Sequence, residues 1–299
     1  MGITIPTGQN ACNRLVTSRI LPPDPAVYAR WPQPAAHYRV MPTVAAHPYR
    51  QISLWTLVAL AVCILLDIGG QDLSVAHWFG NSSGFPYRDH WLFSGVLHGG
   101  ARRVAWALQF ALILAIWWPV GVLRKLSRRE RVCMFVASMA TLLATSGLKQ
   151  WNTTSCPWEL VDFGGAARYV SHWTWGVADG GEGNCFPVGH ASAAFCFFSE
   201  FFALRTVAPR AARIWLATTL LAGVTIGLAQ QIRGAHYLSH TLWTAWLCWF
   251  VTLACYWLFE DMPMPGGRES DLAGTPQCCF NVNAHNYGVA PRVPCHVAS

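Results

Sequence analysis

Six stretches of the chain are apolar almost throughout, and each comes close to the roughly 20 residues that cross a hydrocarbon core of about 30 Å. They lie near residues 52–69, 104–123, 131–148, 188–205, 213–231 and 239–259. Between them the chain turns polar over short intervals, with two longer polar segments at 70–103 and 149–187. This pattern predicts an all-α fold, a polytopic membrane bundle of six transmembrane helices with an outer loop region carrying the active site. Three regions follow: a leader over 1–51, a membrane domain over 52–260 and a tail over 261–299. The leader is basic and proline-rich and is expected to be disordered, with no cleavable signal peptide, since no short apolar core precedes a small-residue site. Met41 is an alternative start. The tail, rich in Pro, Gly, Asn and Cys, is also expected to be disordered.

Composition agrees with this pattern. Hydrophobic residues make up 53% of the 299 and charged residues only 12%, about half the charged share of a soluble domain. The 16 tryptophans suit aromatic belts at two interfaces. A net charge of +7 and a pI near 9.0 would also suit a nucleic-acid partner. The basic residues, however, gather in short clusters between apolar spans, so no nucleic acid is expected. "RKLSRRER" (124–131) and "RTVAPRAAR" (205–213) are such clusters, and the leader is basic too. The 149–187 segment holds only Lys149 and Arg168 against Glu159, Asp162, Asp179 and Glu182. The 70–103 loop has three basic residues, two of them in "ARR" at the mouth of the second span. The positive-inside rule then puts both termini in the cytoplasm and 70–103, 149–187 and 232–238 outside.

That topology brings the ionisable residues to one face. Lys149 closes the third span, His190 in "CFPVGHAS" opens the fourth, and Arg233, His236 and His240 in "RGAHYLSH" lie between the fifth and sixth. Odd-numbered spans end outside and even-numbered ones begin there. Singly, a lysine at a span end snorkels to the interface, and a histidine at a helix start is an ordinary interfacial residue. A lysine, an arginine and three histidines at one membrane depth are costly together and point to a site. Their chemistry suits phosphate. Lys149 and Arg233 supply positive charge and donors, with arginine able to bind two oxygens. Gly189 lets the backbone approach an anion, with the amides of Gly189 and His190 at a helix start. Two histidines can divide the work of nucleophile and proton donor near neutral pH.

The chain here resembles the type 2 phosphatidic acid phosphatase superfamily, six-span membrane enzymes with the motifs Lys-x6-Arg-Pro, Pro-Ser-Gly-His and Ser-Arg-x5-His-x3-Asp. The matching stretches are "KQWNTTSCP" from Lys149, "PVGH" from Pro187 and "AQQIRGAHYLSH" from Ala229, and the resemblance spans roughly 50–260. Wording such as "CPWEL…FGG" is similar to a divergent bacterial subgroup. The resemblance implies His236 as the nucleophile forming a phosphohistidine, His190 as the general acid, and Lys149 and Gly189 as phosphate contacts. It implies no metal and no cofactor, a lipid-linked phosphate or diphosphate as substrate, and a place in the bacterial inner membrane with a periplasmic active site.

The chain departs from those motifs at four places. Cys156 replaces the first arginine, Val188 the serine, Gln230 the second arginine and His240 the aspartate. Arg233, one turn beyond Gln230, is the candidate replacement clamp, and His240 the stand-in for the orienting carboxylate. Glu159 and Asp162 are further candidate carboxylates. Cys156 and Cys185 share the outer 149–187 segment, so an oxidising periplasm favours a disulfide between them. Cys63, Cys133, Cys196, Cys248 and Cys255 read as small hydrophobes, and Cys12, Cys278, Cys279 and Cys295 lie in the polar ends. Two other readings stay open: a metal hydrolase using His190, His236 and His240, and a non-catalytic binding or transport protein that retains the fold. The lipid, hydrolysis versus transfer, and the oligomeric state are not determined by the sequence.

Overall fold

The computed structural model describes residues 49–174 and 176–261. The predicted leader and tail lie almost wholly outside the described residues, as do Cys12, Cys278, Cys279 and Cys295. Among the described residues the fold is all-helical, with two isolated bridges, Asn81–Gly84 and Leu160–Ala167, and no strand. Four helices are long and apolar enough to cross a membrane: α1 (Arg50–Ile68), α4 (Arg128–Trp151), α7 (Pro209–Ile232) and α8 (Leu238–Phe259 of a helix that runs to Asp261). This is a membrane protein. Exposed Leu54, Trp55, Leu57, Leu65 and Ile68 make α1 a surface suited to lipid.

The second and fourth predicted spans take other forms. A short α2 (Gln71–Ala76) precedes a π-helical stretch, Leu92–Gly100, which runs directly into α3 (Ala101–Ala115). Helix α3 stops before the predicted end at 123 because Pro119 disfavours helical backbone at the residue before it. A 3-10 turn, Gly121–Lys125, follows. The helical element is therefore shifted toward the N-terminus, and glycine-rich "LFSGVLHGG" forms its wide π turns. The fourth span divides into α5 (Gly189–Phe195) and α6 (Phe198–Leu204). Phe197 N–H bonds back three residues to Ala194, 3.1 Å, and the hydroxyls of Ser192 and Ser199 donate to the carbonyls of Gly189 and Cys196. Such hydroxyl back-bonding bends helices.

Helix α8 packs along α4 and α1 and also meets α5, α6 and α7. The largest core gathers Met134, Ala137, Phe202, Leu204 and Tyr256. Ser127 caps α4 in a reciprocal box with Glu130: its hydroxyl accepts from Glu130 N–H at 3.2 Å and its own N–H donates to Glu130 Oε2 at 2.6 Å. Pro209 opens α7, where its missing N–H costs nothing.

At the other end of the bundle, irregular chain packs on the start of α8. Phe85, Leu160, Phe163, Ala167 and Tyr237 form a second, smaller core. Buried carboxylates order these segments. Asp72 accepts from Ser239 N–H at 2.9 Å and from its hydroxyl. Asp179 accepts from Ser155 N–H at 2.6 Å and its hydroxyl at 2.7 Å. A disulfide joins Cys156 to Cys185, 29 residues apart.

Candidate active site

The turn between α7 and α8 carries the histidine that the motifs single out. Gly234 takes φ +73°, and a Cβ there would lie 2.3 Å from the Phe85 ring, so only glycine fits. Its carbonyl accepts from Trp158 N–H at 2.9 Å, tying the turn to the 149–187 segment. His236 follows two residues later and is 5% exposed. Its Nδ1 lies 3.7 Å from Cys185 Sγ, within the disulfide. Burial first, then the charges of Lys149 and His190, hold its pKa well below the usual imidazole value, and a hydrogen bond with the Cys185 backbone opposes this only in part. His236 is therefore a neutral ring at neutral pH, the state a nucleophilic nitrogen needs.

Lys149 sits near the end of α4, where its Nζ donates to the Asn184 carbonyl at 2.5 Å. Gly189 opens α5 beside it, and a Cβ there would lie 3.9 Å from Lys149 Cδ. His190 stacks on His98, with ring centroids 3.7 Å apart, and its buried Nδ1 has no hydrogen-bond partner among the described residues. Lys149, Gly189 and His190 share the wall of a cavity of about 470 Å³ with Arg102 and Trp106. Arg233, His236 and His240 do not line this cavity, although His236 feels the charges of Lys149 and His190.

The other expected residues sit as follows. Arg233 Nε donates to the Arg88 carbonyl at 2.7 Å and Nη1 to Gln230 Oε1 at 3.4 Å. Its guanidinium lies 5.8 Å from the Trp158 ring, over which Arg88 stacks at 4.4 Å. His240 is 1% exposed, with its ring 6.0 Å from that of His236 and 4.9 Å from that of His172. His240, His172 and Asp72 bring ligand atoms within 4.8 Å of one another, whereas His190, His236 and His240 form no such group among the described residues. Glu159 accepts from Cys156 N–H at 2.7 Å, so it acts as a local cap, and Asp162 is exposed. Val188 is fully buried, its N–H donating to Thr244 Oγ1 at 2.9 Å.

Sequence reasoning passed over His98 and Arg102. Their signal was "LHGGARR", a histidine and an arginine four residues apart at the mouth of a span. His172, 3.4 Å from the Asp67 carboxylate, was also missed. Nothing in "VSHWTW" links it to residues far away in sequence.

A family model of the PAP2 superfamily matches residues 131–263. That match covers less than half of the chain. The PAP2 segment contains Lys149, Gly189, His190, Arg233, His236 and His240, and it leaves out α1 to α3, which bring His98 and Arg102. The chain is also similar to a solved structure described as the first transmembrane PAP2 type phosphatidylglycerolphosphate phosphatase from Bacillus subtilis. Identity is 16%, coverage 72% of this chain and 98% of that one, and the TM-score 0.44. No curated protein matches the chain.

Proposed function

We propose that the protein is an integral membrane phosphatase or phosphotransferase acting on a lipid-linked phosphate or diphosphate. At the level of the superfamily it is a lipid phosphatase. The observation that carries the finer reading is the buried, neutral His236 under the charges of Lys149 and His190, two residues that line one cavity with Gly189.

Nδ1 of His236 faces the disulfide sulfur, which leaves Nε2 to attack phosphorus. The P–N bond forms as the bond to the leaving oxygen breaks, and His190 gives that oxygen its proton. The approaching phosphate, being anionic, favours the protonated His190 ring. Lys149 neutralises charge building on the non-bridging oxygens. Water, or a second lipid hydroxyl, then gives its proton back to His190 and attacks the phosphohistidine. The P–N bond breaks and His236 returns neutral. No metal is needed for these steps, and no cofactor takes part.

The divided helices α5 and α6, and the π stretch with α3, complete six crossings with the four long helices. Both termini are cytoplasmic, the site faces the periplasm, and the protein resides in the bacterial inner membrane. The sparse basic charge of 149–187 supports this sidedness. The deciding experiment measures phosphate release by purified protein from phosphatidic acid, polyprenyl diphosphate, phosphatidylglycerol phosphate and lipid A, with His190→Ala and His236→Ala controls. Release by wild type that vanadate blocks and EDTA does not supports the reading. Activity that survives in His236→Ala, or is lost on chelation, refutes it.

A further inference from the structure

We propose that Arg102 is a phosphate-binding residue of this site and supplies the cation that the first motif lacks. The inference rests on the phosphatase reading above. Cys156, standing where that motif has arginine, is consumed by its disulfide, and Gln230 at the third-motif position is neutral. Two cationic positions near the His98–His190 pair are already partly engaged. Lys149 Nζ holds the Asn184 carbonyl, and Arg233 holds the Arg88 carbonyl and Gln230. Arg102 has no hydrogen bond or ion pair among the described residues, whereas its neighbour Arg103 donates to the Gly99 carbonyl at 3.3 Å.

Arg102 is also in the right place. It lines the cavity that holds Lys149, Gly189 and His190. It follows His98 by four residues, one helical turn, and the His98 ring lies 3.7 Å from that of His190. The charge of Arg102 acts on both rings. A free guanidinium offers two parallel donors to a phosphate monoester. Trp106, Leu142 and Leu143 continue the same cavity as an apolar wall, so the phosphate could belong to a lipid or be free. The chemistry at Arg102 is the same in either case.

The test titrates full-length protein in detergent with inorganic phosphate in one arm and phosphatidic acid micelles in the other, reading affinity by calorimetry. A lost charge-assisted contact of about 1.5–3 kcal/mol weakens binding roughly 10- to 100-fold. Arg102→Gln is expected to show this loss in both arms, Arg102→Lys to recover part of it, and Arg103→Gln to bind as wild type. Unchanged phosphate binding by Arg102→Gln overturns the proposal, as does equal weakening in Arg103→Gln, which would mean diffuse surface charge. Weakening in the phosphatidic acid arm alone also overturns it, since Arg102 would then touch another part of the lipid. If wild-type protein binds neither probe, the phosphatase reading fails and this inference fails with it.

Discussion

The two ends of the bundle are held together by different physics. Around Met134, Leu204 and Tyr256 the contacts are apolar side chains of long helices, aided by the Ser127–Glu130 box at the start of α4. Around His236 the chain is mostly irregular, and its order comes from a disulfide, from carboxylates bonded to Ser155 and Ser239, and from a small aromatic core. Lipid can surround the first kind of structure without unsatisfied backbone, which the second kind cannot offer. Irregular backbone in turn holds His236 and the 149–187 segment beside helices α3, α4 and α5, whose side chains line one cavity. The proposed chemistry lies at the end of the bundle where position is determined by polar bonds.

Changing one side chain at a time separates the two ends. The largest effect is expected for His236→Ala, which should lower phosphate release by about 10⁴-fold or more while leaving the melting temperature close to wild type. Next comes the disulfide. Replacing Cys156 and Cys185 by serine should cost about 3 kcal/mol through the freed loop, seen as earlier proteolysis of 149–187 and lost activity while the helical circular dichroism is retained. Asp72→Asn weakens the bonds to the start of α8, at about 1–3 kcal/mol, and should lower activity together with stability. Ser127→Ala, at the opposite end, should cost about 1 kcal/mol with unchanged activity per folded molecule. A Ser127→Ala variant that lost activity would show that the two ends are coupled.

Acid should expose the same contrast. His172 and His236 both have pKa values lowered by burial. Below about pH 6.5 the unfolded chain takes up protons at these rings that the folded chain does not, so stability falls as pH drops through that region and is fully present above it. Melting measured from pH 7.5 down to 5 should show this decline. It should be shallower in His172→Gln, provided that variant still folds.

Much of this was legible in the chain itself. The apolar stretches at 52–69, 131–148, 213–231 and 239–259 all became long helices, because an unbroken apolar run in lipid has to satisfy its backbone internally. Motif spacing identified Lys149, Gly189, His190 and His236 as residues to consider together, and Lys149, Gly189 and His190 do share a cavity wall. Local punctuation was harder to weigh. Pro119 and Gly121 shortened the second helix, and the hydroxyls of Ser192 and Ser199 helped divide the fourth, though hydropathy averages over both.

The roles near His236 depended on distances that no spacing rule contains. Arg233 is the candidate clamp one turn from the motif position, and the fold binds it to the Arg88 carbonyl and Gln230. His240 appeared to be a partner for His236, yet its ring lies nearer His172 and beside Asp72. His98 and Arg102 lay outside every motif, and a π-helical stretch brings their helix to His190. Composition and periodicity determined that this protein is a helical membrane bundle with Lys149, His190, Arg233, His236 and His240 near one end, because transfer from water to lipid acts on each segment alone. Only the tertiary structure decided which of those side chains are held by hydrogen bonds, because hydrogen-bond partners come from segments far apart in sequence.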